Sequence, residues 1–330
     1  MPGWPWLRDA PTLSHFVSSL PRAAILRFAW GGARFPWGGP AENMMLPLKN
    51  WPVEQRRQII GVFTDIDDTL TTDGAITADA LAALVDLKAA GLQVIPITGR
   101  PVGWSEGFLA GNAAKGVAPW PVDCVVAENG AVAICIKENG NRPTDNIDSL
   151  LLKLYQQDAA TRERNRVRMQ AVAARVLKEV PGAALSRDTA GRETDIAIDH
   201  SEFASLSQEQ IDQVVRIMRQ DGMTATVSSI HINGWFGAHN KLAGARWIVR
   251  ELFDRNLDAE IGRWVYVGDS TNDQVMFEAF PHSVGVANIA RFMPQLAHRP
   301  RYLAKGARGA GFAEVARAVL FRACPDGPGW

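Results

Sequence analysis

The 330-residue chain has little cysteine, no excess of charge of either sign and no long apolar run. Its three cysteines, Cys124, Cys135 and Cys324, are an odd number without the spacing of a metal site, which favours a reducing cytoplasm over a disulfide framework. Basic and acidic residues number 35 each, so the basic excess typical of nucleic-acid or anionic-membrane binding is missing. No stretch approaches the roughly 18 apolar residues of a transmembrane helix. We therefore expect a cytoplasmic protein without nucleic-acid or membrane partners, and no oligomeric state is predicted.

Residues 1–58 differ in composition from the rest, being rich in Trp, Pro, Gly and Arg and poor in acids. Their apolar stretch, residues 23–30, is short, contains Arg27 and lacks a small-residue cleavage site, so a secretory signal is not expected. We predict a poorly ordered extension over residues 1–58. A further hypothesis is that translation starts at Met44 or Met45, and that residues 1–43 are not part of the native protein.

From residue 59 onward, apolar runs alternate with amphipathic segments. The runs predict buried strands at residues 59–64, 92–97 and 122–127. Helices are predicted between and after them, at residues 78–90, 102–109 and, later in the chain, 241–253, followed by a strand at residues 264–267. Such alternation is typical of a doubly wound parallel sheet with right-handed crossovers. The fold class is therefore predicted to be α/β, with a Rossmann-like core.

Between the two halves of this core, the pattern of predicted helices and strands changes. Here the sequence predicts helices at residues 147–157 and 159–179, a helix opened by a capping box of Ser207 and Gln210, and alternating strands at residues 193–199 and 224–232. Alternation of apolar and polar residues is typical of antiparallel sheets that have one face exposed to solvent. We therefore predict an inserted α+β cap domain at residues 139–233, with the core formed by residues 59–138 and 234–330.

The stretch GVFTDIDDTLTTDG, residues 61–74, passes from a predicted buried strand directly into acidic residues. Like carboxylates repel one another, and their desolvation is costly unless a cation or hydrogen-bond donors compensate. In open α/β sheets, ligands bind beyond the carboxyl ends of the strands. The candidates at such ends, or at the start of the helix before the last strand, are Asp65, Asp67, Thr98, Lys241, Asp269 and Asp273. Each alone is typical of a turn, a helix cap or a surface residue, but their joint order indicates one shared site.

Four motifs contain these residues: DIDDT (65–69), ITGR (97–100), NKLAGARWI (240–248) and GDSTND (268–273). In this order they closely resemble the four motifs of the haloacid dehalogenase (HAD) superfamily of phosphohydrolases. The insertion between the second and third motifs, together with ENGA (128–131), resembles the second cap type. That cap is found in subfamily IIB, which includes Cof-like hydrolases and sucrose-phosphate phosphatases. The resemblance covers about residues 59–138 and 234–320.

The resemblance implies a Mg²⁺-dependent phosphomonoester hydrolase that forms an aspartyl-phosphate intermediate. Asp65 would be the nucleophile and Asp67 the general acid and base, and this acid two residues after the nucleophile favours a phosphatase or mutase over a dehalogenase. Residues expected to bind the phosphate are Ile66, Thr98, Gly99, Lys241 and Asn272. Those expected to hold Mg²⁺ are Asp65, the Asp67 carbonyl, Asp269 and Asp273. Asp68 is expected to have a structural role.

The cap is expected to close over the leaving group of a small phosphorylated substrate. The candidates for substrate specificity on it are Arg187, Arg192, Glu193, His231 and Asn233. The resemblance to caps of this type favours a sugar or glycosyl phosphate as the substrate. One alternative is a phosphotransferase such as a hexose phosphomutase, which shares every catalytic residue. A more distant one is a phospho-accepting receiver or a non-catalytic binding protein, although receivers place the phosphorylated Asp after the third strand.

Overall fold

The structure, a computed structural model, describes residues 45–111, 118–137 and 150–321. In chain order the strands of this part are β1 (Leu46–Pro47), β2 (Gly61–Thr64), β3 (Thr71–Thr72), β4 (Ala75–Ile76), β5 (Gln93–Pro96), β6 (Cys124–Ala127), β7 (Val132–Ile136), β8 (Leu151–Tyr155), β9 (Ala184–Leu185), β10 (Ile196–Asp199), β11 (Thr224–Val227), β12 (His231–Trp235), β13 (Trp264–Gly268), β14 (Ser283–Gly285) and β15 (Tyr302–Leu303). The helices are α1 (Val53–Arg56), α2 (Ala78–Ala89), α3 (Val102–Ala110), α4 (Ala159–Glu179), α5 (Gln208–Gln220), α6 (Lys241–Phe253), α7 (Leu257–Glu260), α8 (Gln274–Ala279) and α9 (Arg308–Leu320).

The central sheet has the strand order β1-β15-β14-β13-β2-β5, and every neighbouring pair is parallel. Alternate residues of a strand point to opposite faces. Val62 of β2 therefore packs in one apolar cluster with α2 and α9, whereas Phe63 packs in a second cluster with α6 and α8. A parallel sheet covered by helices on both faces is the α/β architecture that the sequence predicted, and that prediction is confirmed.

The first folded residues correct the predicted N-terminal boundary. Strand β1 pairs in parallel with β15, and Trp51 is buried, its ring 5.5 Å from that of Tyr302. Residues 45–58 therefore belong to the folded core, and the prediction of a poorly ordered extension as far as residue 58 is wrong for them. Their short strand and single turn of helix are held by tertiary contacts, which a composition argument does not detect. Residues 1–44 lie outside the described residues.

A three-stranded antiparallel sheet, β6-β7-β8, extends the core beyond β5. It is joined to the parallel sheet through an isolated bridge between Ile97 and Val126. The hairpin of β6 and β7 turns at residues 128–130. The helix predicted at residues 147–157 is wrong, because residues 151–155 form β8 and pair with β7 along its whole length. Residues 138–146 are polar and contain Gly, Asn and Pro, a composition that predicts a linker, but they lie outside the described residues.

The inserted unit is a four-stranded antiparallel sheet of order β11-β12-β10-β9, covered by α4 and α5. Its apolar cluster is separate from the two clusters of the core. Helix α5 begins with the predicted capping box of Ser207 and Gln210. The single strand predicted at residues 224–232 is wrong, because the chain turns at residues 228–230 and forms two paired strands. The cap elements start at α4 rather than at residue 139, since β8 belongs to the core side.

The chain returns from the cap to the core through a buried aromatic pair. The His239 ring stacks on Trp235 at a centroid distance of 5.3 Å, and the Trp235 indole donates a hydrogen bond to the His239 carbonyl. His239 Nε2 is buried without a hydrogen-bond partner. Burial disfavours the imidazolium and lowers the pKa of His239 to about 4. The ring is therefore neutral in the folded protein down to mildly acidic pH.

We expect this histidine to make the fold less stable in acid. An unfolded histidine titrates near pH 6.5, so between that pH and about 4 the unfolded chain binds a proton that the folded protein does not. The free energy of unfolding should fall by up to about 3 kcal/mol as pH decreases across that window. Urea unfolding of His239→Gln should show a correspondingly weaker pH dependence, whereas His298→Gln, at an exposed histidine, should follow the wild type. Parallel curves for His239→Gln and wild type would contradict this assignment.

Within residues 45–111, 118–137 and 150–321, no helix is both long and apolar enough to span a bilayer.

Candidate active site

Three neighbouring strands end at the same edge of the central sheet and present polar side chains there. Asp65 follows β2, Thr98 comes shortly after β5, and Asp269 follows β13. Because β2 lies between β5 and β13 in parallel register, residues far apart in sequence meet at this edge. Asp65 and Asp269 are buried, and so is Thr98. The structure thus brings together Asp65, Thr98 and Asp269, three of the residues that the sequence analysis expected at one site.

Lys241 is the cation at the centre of the site. It is the first residue of α6, whose N-cap, Asn240, accepts a hydrogen bond from the Ala243 N–H. Its ammonium lies 2.6 Å from Asp65 Oδ1 and 2.6 Å from Asp273 Oδ1, and the residue is only 1% exposed. Burial alone would lower the pKa of Lys241, but the carboxylates of Asp273 and Asp65 raise it above its ordinary value. The lysine is therefore a fixed positive charge.

The charge of Lys241 is too small for the carboxylates around it, even with Arg291 at 3.5 Å from Asp269 Oδ2. Asp65, Asp269 and Asp273 each place an oxygen within 4.8 Å of the others. Burial, reinforced by Asp273 and Asp67, raises the pKa of Asp65 to about 8 against the opposing effect of Lys241. Burial and the neighbouring Asp65 raise the pKa of Asp269 well above its usual range. Such shifts mark a place where a further cation would be favourable.

A divalent cation fits this group of oxygens. Asp269 Oδ1 is buried and has no hydrogen-bond partner, although its other oxygen accepts from the Asn288 amide at 2.7 Å. An unpaired buried carboxylate oxygen is costly, and hard cations such as Mg²⁺ bind carboxylate oxygens. The predicted ligands Asp65 and Asp269 are thus both present with suitable chemistry.

Asp273, the other predicted metal ligand, is already saturated by protein donors. One of its oxygens accepts from Lys241 and from the Tyr266 hydroxyl. The other accepts from the backbone N–H groups of Asp269 and Ser270, at 2.8 and 3.0 Å. In this arrangement Asp273 fixes Lys241 and the loop after β13. Direct coordination of a metal by Asp273 would require it to exchange at least one of these partners.

The segment Thr98-Gly99-Arg100 brings a second cation to the cavity. The Thr98 hydroxyl accepts from the Arg100 N–H at 3.0 Å. The Arg100 guanidinium donates to both carboxylate oxygens of Asp67, at 3.0–3.1 Å. Arg100 is 6% exposed and also faces carboxylates of the cap. Asp67, the predicted general acid and base, therefore has a fixed orientation at the cavity wall.

A narrow cavity separates this edge of the core from the cap. It is lined by Asp65, Asp67, Thr98, Gly99, Arg100, Ser228, Ser229, Ile230, His231, Asn233, Ser270 and Asn272. Its volume is about 10 Å³, which is room for about one water molecule. In this conformation the cap is closed and leaves no room for a larger molecule. Ile66, a predicted phosphate ligand through its N–H, is fully buried next to the cavity.

The predicted specificity residues divide into two groups. His231 and Asn233 line the cavity, and Arg192 lies beside it, donating to the Gly99 carbonyl at 3.0 Å. Arg187 instead stacks on the exposed ring of Phe203. Glu193 accepts from the Tyr155 hydroxyl at 2.6 Å and pairs with Lys153. Arg187 and Glu193 do not line the cavity, so their prediction as substrate-reading residues has no support from the described residues.

Several residues at the site were not predicted from the sequence. Ser228, Ser229 and Ile230 belong to the turn that was interpreted as part of a strand, and Arg100 was part of a recognised motif without an assigned role.

Glu128, buried just after β6, also had no predicted role. It accepts hydrogen bonds from the backbone N–H groups of Glu193 and Thr194 and so connects the core to the cap. Burial and the nearby Asp195 raise the pKa of Glu128 to about 7.

Asp68 lies outside the cavity lining. Its carboxylate pairs with Arg291 at 2.7 Å and with Arg308 at 3.1 Å, and its φ of 57° places it in the left-handed region. These contacts agree with the structural role expected for it.

Comparisons with known proteins identify the fold. No protein-family model and no curated protein sequence matches this chain. Solved structures do match it. A Thermoplasma acidophilum protein, 0175, superposes with a TM-score of 0.56 at 16% identity, covering 79% of this chain and 98% of its own. A HAD/Cof-like hydrolase from Plasmodium vivax gives 0.56 at 15% identity, covering 82% and 99%. The Synechocystis sucrose-phosphatase, solved with sucrose and phosphate, gives 0.55 at 15% identity, covering 80% and 98%.

The chain therefore has the fold of the HAD/Cof-like hydrolase and of the sucrose-phosphatase. The resemblance carried by the four motifs is confirmed at the level of the fold. At these identities the matches establish the architecture, and the activity must be argued from the residues of the site.

Proposed function

We propose that the protein is a Mg²⁺-dependent phosphomonoester hydrolase that forms a phosphoenzyme on Asp65 and acts on a sugar or glycosyl phosphate. One observation carries the proposal. The Lys241 ammonium holds a carboxylate oxygen of Asp65 at 2.6 Å, beside the unpaired buried oxygen of Asp269. A nucleophile, a fixed cation and an unpaired carboxylate oxygen suited to a metal thus meet at the ends of parallel strands, where α/β proteins bind ligands.

Asp65 supplies the nucleophile. An oxygen of its carboxylate attacks phosphorus, the new O–P bond forms, and the bond from phosphorus to the leaving oxygen breaks. Lys241 offsets the repulsion between this carboxylate and the anionic phosphate, and the Thr98 hydroxyl is positioned to donate to a phosphate oxygen. Fixed donors and cations are the main source of rate enhancement in phosphoryl transfer.

Asp67 acts as the general acid of the first step and as the general base of the second. It donates a proton to the leaving alcohol as the first bond breaks, and it takes a proton from the water that hydrolyses the aspartyl phosphate. Three hydrogen bonds from Arg100 hold its carboxylate in one direction. General acid–base assistance of this kind is typically worth about 10²–10⁴ in rate.

Asp65 and Asp269, together with the Asp67 carbonyl, would hold Mg²⁺. When bound, the ion would neutralise charge on the carboxylates and on the phosphate oxygens. Asp273 would contribute by fixing Lys241 and the N–H groups of Asp269 and Ser270.

The closed cap supports the substrate class. The cavity's cap-side wall carries Ser228, Ser229, His231 and Asn233, and hydroxyl, imidazole and amide groups are the donors and acceptors that a polyhydroxylated leaving group requires. Closure also excludes bulk water from the phosphoenzyme. The Synechocystis sucrose-phosphatase has the same fold, which agrees with a sugar phosphate as the substrate.

Removal of divalent metal should lower both the activity and the stability of the enzyme. The loss of activity should be the larger of the two effects. With EDTA, we expect hydrolysis of p-nitrophenyl phosphate to fall at least about 100-fold, because the carboxylates of Asp65 and Asp269 then repel the phosphate. Added Mg²⁺ should restore the rate and raise the melting temperature, since an ion that binds the folded state stabilises it. In Asp269→Asn, Mg²⁺ should be needed at higher concentration. A rate that is indifferent to chelation would refute the metal site.

A further inference from the structure

The charge of Arg100 is already matched in the closed site. Among the described residues that line the cavity, it is the single Lys or Arg. Besides holding Asp67, its guanidinium lies 3.2 Å from Asp188 and 2.8 Å from Glu202, both on the cap. The two cap carboxylates alone outnumber this cation. An anionic group on a substrate would therefore find no unpaired guanidinium here.

The neighbouring groups do not change this balance. Arg192, the next guanidinium, is buried and pairs with Asp195 at 2.8 Å and with Asp188 at 3.0 Å. His231 Nε2 lies 2.9 Å from Glu202, so a charge on its ring would also be paired. Burial acts against ionisation of Glu202, but the hydrogen bonds from His231 and Arg100 lower its pKa to about 2. Glu202 is therefore ionised at neutral pH.

We infer that Asp188 and Glu202 select substrates by charge: they restrict the enzyme to phosphomonoesters whose leaving group carries no second anionic group. This inference rests on the proposed phosphatase function and narrows its substrate class. A neutral polyol or an amino sugar is compatible with the cap carboxylates. A carboxylate or second phosphate on the leaving group is not.

The reason is that an anionic leaving group must compete with the cap for Arg100. Displacing Asp188 or Glu202 would leave a partly buried carboxylate without its partner, and the like charges of the cap and the leaving group would then lie close together. Rejection by an unfavourable contact of this kind is a common source of specificity. The same argument disfavours the mutase alternative, because a phosphomutase must hold a bisphosphate and so needs a second cationic site.

A pair of substrates that differ mainly in one terminal charge tests this inference. Sorbitol 6-phosphate ends in a hydroxyl where 6-phosphogluconate ends in a carboxylate. We expect the wild type to have a kcat/KM at least about 10-fold higher for sorbitol 6-phosphate. In Glu202→Gln, which keeps the side-chain shape but removes the charge, this ratio should fall about 10-fold. For a compound that is bound but not turned over, its inhibition constant against p-nitrophenyl phosphate gives the same comparison.

Glu193→Gln is the matched control. Glu193 is a cap carboxylate that pairs with Lys153 and Tyr155, neither of which lines the cavity, whereas Glu202 pairs with the lining residues Arg100 and His231. Glu193→Gln should leave the ratio at the wild-type value. Equal use of both sugar phosphates by the wild type, or a ratio that Glu202→Gln does not change, would overturn the charge selection. Absence of any p-nitrophenyl phosphate hydrolysis would instead overturn the proposed function, and the inference with it.

Discussion

Asp65→Asn should abolish phosphatase activity without unfolding the protein. We expect kcat/KM for p-nitrophenyl phosphate to fall by roughly four orders of magnitude or more, because an amide oxygen cannot replace the carboxylate as a nucleophile. The fold should survive, since the substitution removes one of several buried like charges. In EDTA, the melting temperature of the variant should stay within about 5 °C of the wild type.

Asp73→Asn is the control for this variant. Asp73 belongs to the same acidic stretch, but its side chain is 83% exposed and pairs with Arg308. Its φ of 51° is tolerated by asparagine, so the variant should keep nearly full activity. Appreciable turnover by Asp65→Asn, in a preparation shown by mass spectrometry to lack the wild-type residue, would contradict the nucleophile assignment.

Lys241→Met should have the second largest effect. It removes the ammonium that contacts Asp65 and Asp273 at 2.6 Å, while the methionine side chain occupies the space of the aliphatic part of the lysine. We expect kcat/KM to fall at least about 10³-fold, because a fixed charge next to the transferred phosphoryl group is lost. The variant should also be less stable, since loss of one partner leaves buried carboxylates unpaired.

Lys153→Met provides the comparison. Lys153 also pairs with two carboxylates, Glu106 and Glu193, but it lies outside the cavity lining and its side chain is 30% exposed. It should change p-nitrophenyl phosphate hydrolysis less than about threefold. If Lys241→Met lost stability but kept a wild-type rate, the lysine would be a structural residue and would have to be removed from the proposed phosphate site.

Much of the core could be predicted because local patterns determine it. Strands β2, β5 and β13 lie in predominantly apolar runs, and α2, α3, α4 and α6 agree with their predicted bounds within one residue. Parallel strands end at a common edge, so the order of Asp65, Thr98 and Asp269 along the chain was enough to place them together.

The errors arose where tertiary contacts decide the local structure. Residues 151–155 form a strand because they pair with β7, and nothing in their short apolar pattern distinguishes a strand from a helix. The turn at residues 228–230 contains neither Gly nor Pro, so the signals that usually reveal turns were missing. As a result, the serines that line the cavity were placed within a strand.

The role of Arg100 could not be predicted from its motif. Its partners Asp188 and Glu202 are 88 and 102 residues away in sequence, and they reach it only through the closed position of the cap. Glu128 and its cap contacts at residues 193–194 are a similar case. Contacts between two units of a fold depend on how those units pack, and a single sequence carries little information on that packing.

The central claim is that the carboxylate of Asp65 accepts the phosphoryl group. The most direct measurement is to quench the Mg²⁺-loaded enzyme during turnover, reduce it with borohydride and map the peptides by mass spectrometry. An aspartyl phosphate is an acyl phosphate, which borohydride reduces to homoserine. We predict homoserine at position 65, dependent on both substrate and Mg²⁺, and none in Asp65→Asn. Homoserine at another aspartate, or rapid turnover without any modified residue 65, would contradict the account.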